Sequence, residues 1–197
     1  IEVDVPDNRV SAASMEPRGC YAEMVDDRLH VAVNGQGVSA PKGDVVYHLG
    51  MDPADVRVTN PDTGGGFGMK AMSYPETYIV AHIARSLGKP VRWMSERTEA
   101  MLSDNAGRDL TTKATLAFNE DFRLTGYLLE SLCNMGAYNS QFAQFIQTDL
   151  FSKVLMGTYD VQAAYMETVG IFTNTTPVDA YRGAGRPEAI FVLDRVM

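Results

Sequence analysis

The sequence predicts an α+β fold in which mixed sheets pack against helices. Three observations carry that expectation. Strand-like and helix-like segments do not alternate strictly, so a doubly wound parallel sheet fits less well. An amphipathic helix and a long hairpin are the elements read most clearly. The 197 residues are 45% hydrophobic and 21% charged, the composition of a globular chain with enough apolar side chains for a core.

Taken in order, residues 9–14 alternate as a strand, and residues 20–25 and 29–33 form a second and third strand around a turn at Asp26 and Asp27. Ser39 is expected as the N-cap of a helix with Pro41 in its first turn, running to Leu49 and stopped by Gly50. A turn at Asp52-Pro53-Ala54 precedes a short strand over 56–58, and a glycine-rich loop spans 63–70. Tyr74, Tyr78, Ile79, Ala81, His82 and Leu87 fall near helical spacing, closed by Gly88. A buried strand over 91–94 and a short helix over 96–102 follow. Strands over 111–118 and 123–132 flank Asn119-Glu120-Asp121 as a hairpin. Residues 141–155 are helical or irregular, 163–172 a strand, and 186–197 a helix with Pro187 in its first turn.

The charge balance, 25 acids against 17 Lys and Arg for a net −8, argues against a nucleic-acid partner. Cys20 and Cys133 form no CxxC pair and no zinc spacing, so reduced thiols in a cytoplasm are expected. No apolar run approaches the roughly 18 residues of a membrane span. The sequence opens at Ile1 and stops inside a helical pattern, which leads us to expect a piece of a longer polypeptide.

Three loops could carry chemistry. Gly64, Gly65, Gly66 and Gly68 surround Phe67 ahead of Met69 and Lys70. Such a backbone can turn consecutive N–H groups onto an anion; the alternative is a tight connection into the next helix. A P-loop is excluded because Ala71 follows Lys70, and the G-x-G-x-x-A match at Gly66, Gly68 and Ala71 lacks a βαβ unit around it. Arg182 and Arg186 bracket Gly183-Ala184-Gly185, either as oxyanion forks or as partners of Asp179 and Glu188. Gln36, between Gly35 and Gly37, either aims its amide at a ligand or belongs to a plain turn. His30, His48 and His82 make no metal spacing, and residues 96–99 read as a solvated helix start. Residues alone leave open a non-catalytic phosphate- or nucleotide-binding module and a structural domain whose loops are only turns.

In order and spacing, however, these pieces resemble the molybdopterin-binding subunit of the molybdenum hydroxylases: xanthine dehydrogenase, aldehyde oxidoreductase and the carbon monoxide dehydrogenase-like large chains. The matching segments are Ser14-Met15-Glu16-Pro17-Arg18-Gly19, Asn34-Gly35-Gln36, the run from Gly64 to Lys70, Gly88-Lys89-Pro90-Val91-Arg92-Trp93, Gly126 onward, Gly136-Ala137-Tyr138, and Ala180-Tyr181-Arg182-Gly183-Ala184-Gly185-Arg186. The resemblance implies that residues 1–197 form a single molybdopterin-binding domain, with the aldehyde oxidase/xanthine dehydrogenase type of fold. It implies an oxidoreductase that hydroxylates a C–H bond or oxidises an aldehyde with water-derived oxygen. The cofactor would be molybdenum-molybdopterin as the cytosine dinucleotide. Iron–sulfur clusters and FAD would sit on partner subunits or domains, the full enzyme being a hetero-oligomer. By the same resemblance Gln36 would lie beside a molybdenum oxygen ligand, and Phe67 and Gly68 would offer N–H groups to it. Gly65 and Gly66 would allow the close approach. Arg182 would lie near the metal through its backbone, with Ala180, Tyr181 and Gly183 shaping the cofactor pocket. Ala71 and Ala184 would border the substrate, in place of the glutamate and phenylalanine of purine-oxidising members. Gly183 stands where copper-bridging members have cysteine. The family's catalytic glutamate lies further towards the C-terminus, so no catalytic residue is expected within these residues, which should be inactive on their own.

Overall fold

The computed structural model describes residues 1–197. Its strands are β1 (Glu2–Asp7), β2 (Val10–Ser11), β3 (Gly19–Val25), β4 (Arg28–Val33), β5 (Val56–Thr59), β6 (Val91–Met94), β7 (Ala106–Gly107), β8 (Leu110–Phe118), β9 (Leu124–Gly136) and β10 (Ala163–Phe172). The helices are α1 (Ser39–Leu49), α2 (Pro75–Leu87), α3 (Arg97–Ser103), the single turn α4 (Ala143–Phe145) and α5 (Arg186–Val196). The expected α+β class is found. The chain folds as two compact units, Ala13–Asp104 and a second made of Ile1–Ala12 with Asn105–Met197.

In the unit Ala13–Asp104 the sheet order is β5-β4-β3-β6. β3 is antiparallel to β4 and β6, whereas β5 runs parallel to β4, so the sheet is mixed. Along β4 buried and less buried residues alternate, as one covered face requires. Ala22, Leu29, Val31 and Val56 from the strands bury against Val45 of α1 and Val80, Ala81 and Ala84 of α2. Each large apolar side chain so buried contributes about 1.5–3 kcal/mol. Pro75 sits in the first turn of α2, and Gly88 ends it at φ 61°, a left-handed cap that favours glycine. Ser39 is not the N-cap of α1: Val38 is, and no side chain caps it. Ser39 already lies within the helix, where its hydroxyl cannot reach back to the orphan N–H groups. Glu96 and Glu99 close a reciprocal capping box on α3, the helix start expected of them. Arg18, 5% exposed, ties the unit together through Asp104 at 2.5 Å and Glu76 at 3.0 Å.

In the second unit the sheet order is β1-β8-β9-β10. β8 is antiparallel to both β1 and β9, and β10 is parallel to β9. The Asn119 side chain accepts N–H bonds from Asp121 and Arg123 and so shapes the hairpin turn. Tyr127, Leu129, Cys133 and Met135 alternate on the buried face of β9, in one core with Phe151 and with Ala189, Val192, Leu193 and Val196 of α5. Residues 141–155 contain only α4 and a π-helical turn, Ile146–Leu150. The expected first strand, 9–14, is corrected: the chain forms β1 and then the two-residue β2, which pairs with β7. Both cysteines are buried and free. No helix is long and apolar enough to cross a membrane.

Candidate cofactor site

In the unit Ala13–Asp104 the chain leaves β4 through Asn34, Gly35 and Gln36. Asn34 accepts from the Gly19 N–H and donates to the Pro17 carbonyl, both at 2.8 Å. Asn60 grips Gly35 from both sides, accepting its N–H at 3.1 Å and donating to its carbonyl at 3.0 Å. Gln36 is thereby delivered over the glycine loop, where its Oε1 accepts the Gly68 N–H at 2.7 Å. A Cβ on Gly66 would fall 2.5 Å from that Oε1, so this position needs glycine. Phe67 holds the left-handed conformation at φ 55°, between Gly65 at 95° and Gly68 at 97°.

Glu16 braces the loop at both ends, its Oε2 accepting from the Gly64 N–H at 2.8 Å and from Lys70 Nζ at 2.9 Å. Burial would raise the Glu16 pKa, but hydrogen bonds from Lys70, Gly64 and Asn34 outweigh it and hold the carboxyl below its ordinary value. No protein acceptor takes the N–H groups of Gly65, Gly66 or Phe67. Ala71 and Gln36 line one hollow of about 350 Å³, together with Ala40, Pro41 and Lys70.

The second unit carries the arginine loop. Asp179 is buried and accepts from Phe142 N at 3.0 Å and Ala180 N at 2.6 Å. Arg108 donates to the Tyr181 carbonyl at 3.4 Å and to the Arg182 carbonyl at 2.9 Å. It also pairs with Glu188 at 3.0 Å and lies 4.8 Å from the Tyr181 ring centroid. Burial raises the Glu188 pKa, and the Arg108 charge opposes it. Gly183 is at φ 97°, where a Cβ would overlap Pro187. Ala184 is at φ 43° and donates to the Tyr181 carbonyl at 2.8 Å.

Pairing of Arg182 and Arg186 with Asp179 and Glu188 does not occur. Glu188 lies on the buried face of α5, at 1% exposure, and takes the buried Arg108 instead. Arg186 donates to the Gly183 carbonyl, and the exposed Arg182 side chain has no ion pair. The Gly68 N–H, expected to be offered to a ligand, is engaged by Gln36.

The structure thus brings Gln36, Gly65, Gly66, Phe67, Gly68 and Ala71 together in one unit, and Ala180, Tyr181, Arg182, Gly183 and Ala184 in the other. Arg108, Glu16 and Asn60 received no role from the sequence. Glu16 lies in the segment Ser14-Met15-Glu16-Pro17-Arg18-Gly19, whereas Arg108 carries no local signal beyond the turn after Gly107. His48 stacks on Tyr78 at 4.2 Å, an ordinary packing role.

Residues 1–197 match the family model of the molybdopterin cofactor-binding domain. The chain belongs to that family. Among curated relatives, it is 35% identical over 182 residues to the nicotine 6-hydroxylase large subunit of Paenarthrobacter nicotinovorans, covering 90% of this chain and 22% of that protein. It is 33% identical over 190 residues to the 6-hydroxypseudooxynicotine dehydrogenase complex subunit gamma of the same organism, covering 96% and 24%. Among solved structures, quinoline 2-oxidoreductase from Pseudomonas putida 86 superposes with a TM-score of 0.89 at 32% identity, covering 94% of this chain and 24% of that one. The molybdopterin-binding chain therefore spans about a quarter of the length of these relatives.

The two loops fit such a group. In the unit Ala13–Asp104 the free donors are three consecutive backbone N–H groups and the Gln36 amide nitrogen; in the second unit the Arg182 guanidinium is free. Neutral N–H donors of this kind, and a guanidinium, suit an anionic group and its oxygen atoms rather than a bare cation.

Proposed function

We propose that this molybdopterin-binding chain is the cofactor-holding quarter of an oxidoreductase that hydroxylates a C–H bond or oxidises an aldehyde with water-derived oxygen. The observation that carries the reading is the clasp between Gln36 and Gly68. Because its Oε1 is held by Gly68, Gln36 keeps its amide NH2 as a fixed donor. The N–H groups of Gly65, Gly66 and Phe67 supply further donors, and Glu16 and Lys70 hold the loop in shape. In the other unit, the loop with Ala180, Tyr181, Arg182 and Gly183 is taken to bind the cofactor as well. Molybdenum on the pterin, taken here as the cytosine dinucleotide, supplies the two-electron chemistry when bound. Iron–sulfur and FAD subunits of a hetero-oligomer carry the electrons away, in a cytoplasm consistent with two free thiols.

For the substrate, Ala71 in one unit and Ala184 in the other are taken as bordering residues, and each is small. Relatives named for nicotine and quinoline support an N-heteroaromatic C–H over carbon monoxide. Gly183 offers no thiolate for copper. In the full-length, cofactor-loaded enzyme, Gln36→Ala should lower turnover by about 2–4 kcal/mol of barrier. Turnover per molybdenum equal to wild type would remove Gln36 from the site.

A further inference from the structure

We propose that Arg108 is a positioning residue for the wall formed by Tyr181 and Arg182, fixing both carbonyls so that the Arg182 main chain and side chain are presented in one geometry. The inference rests on the reading of that loop as part of the cofactor pocket.

Arg108 is 8% exposed and sits at φ 63° directly after Gly107, where a Cβ would overlap Tyr181. The backbone and the Tyr181 ring are therefore in close approach before the guanidinium makes any bond. From there one planar fork reaches two successive carbonyls, those of Tyr181 and Arg182. A guanidinium can do this because its N–H groups point in fixed directions; a lysine ammonium has no such fork. Glu188 holds the same fork from the helix side through Oε1 at 3.0 Å, while its Oε2 has no partner. A carboxylate with one oxygen unsatisfied at 1% exposure is a poor way to gain stability alone. Its service is to keep Arg108 in place. The Tyr181 carbonyl also accepts the Ala184 N–H, so the Arg108 contact is linked to the turn that follows. Arg182 itself is left with an exposed, unpaired guanidinium on a clamped main chain.

The test uses the full-length, cofactor-loaded enzyme with Arg108→Lys, Glu188→Gln and Arg182→Ala, and Arg195→Lys as a surface control. Two readouts are taken: amide hydrogen exchange, and the paramagnetic-resonance signal of partly reduced molybdenum. In Arg108→Lys, exchange at Ala184 should speed up about tenfold, the equivalent of one lost hydrogen bond, while β8 and β9 amides stay protected. The molybdenum signal should shift in Arg108→Lys and in Arg182→Ala, and not in Arg195→Lys. Glu188→Gln, which keeps the acceptor, should shift it in the same direction by less; should Arg108→Lys not fold, this variant decides. A shift in Arg182→Ala with none in Arg108→Lys and Glu188→Gln would overturn the positioning role and leave the cofactor reading standing. No shift in any variant, including Arg182→Ala, would instead remove the loop from the cofactor pocket, and the proposal with it.

Discussion

Gly66→Ala isolates the Gln36 clasp without touching Gln36. A Cβ at this position would lie 2.5 Å from Gln36 Oε1 and 2.7 Å from its Cδ and Cγ. Ordinary contact begins near 3.4 Å, so the amide must withdraw by about 1 Å. Gly66 does not require a positive φ, so displacement of Gln36 is the principal cost. The 2.7 Å bond to the Gly68 N–H is then lost, costing about 0.5–1.5 kcal/mol of stability. The effect on turnover should be larger, because a donor misplaced by about 1 Å forfeits roughly a hundredfold in rate. Gly66→Ala, Gln36→Ala and the double variant form a cycle, assayed as turnover per bound molybdenum in the full-length enzyme. Since both single changes remove the same donor, the double variant should be no slower than Gln36→Ala alone. Near-wild-type turnover in Gly66→Ala, or penalties that add in the double variant, would show that the Gln36 clasp does not set turnover.

Other perturbations follow from the same geometry. Glu16 has its pKa held below the ordinary 4.5, so it contributes stability above that value and loses it as pH falls through the depressed folded value. Glu16→Gln should therefore flatten the acid limb of the stability profile, measured by urea unfolding. Arg18→Ala leaves Glu76 and Asp104 without their shared cation and should cost about 3–5 kcal/mol, read by the same titration. Burial, reinforced by Glu76, pushes the Cys20 thiol up to about 11, and burial with Glu188 and Asp109 pushes Cys133 up to about 12. Neither should be alkylated at pH 8 until the protein unfolds, as peptide mass mapping would show. Gly183→Cys should not create a copper site: its φ of 97° and the overlap with Pro187 should cost about 1–3 kcal/mol, with no copper by elemental analysis.

Much of this was legible in the chain because its signals are local. Gly88 ends α2, Glu96 and Glu99 start α3, and Asn119 turns the hairpin. The glycine loop was readable as a close approach, but not what approaches it. Its partners Glu16 and Gln36 lie far upstream, and only the folded sheet brings them there. β1 is short and carries Pro6, which weakens its strand pattern, and its pairing with β8 is set by contacts across more than half the chain. Arg108 had no motif to announce it, since its partners lie at Tyr181, Arg182 and Glu188. The expected pairing of Arg182 with neighbouring acids failed for the same reason: burial, which sequence proximity does not encode, gave Glu188 to Arg108.

The central claim is that these residues hold molybdopterin, and its most direct test is a structure of the full-length, cofactor-loaded protein. In it the Gln36 amide nitrogen and the Phe67 N–H should lie within about 3 Å of oxygen atoms on the bound molybdenum group, the span of a hydrogen bond. A loaded structure in which the cofactor contacts neither the glycine loop nor Gln36 would contradict it.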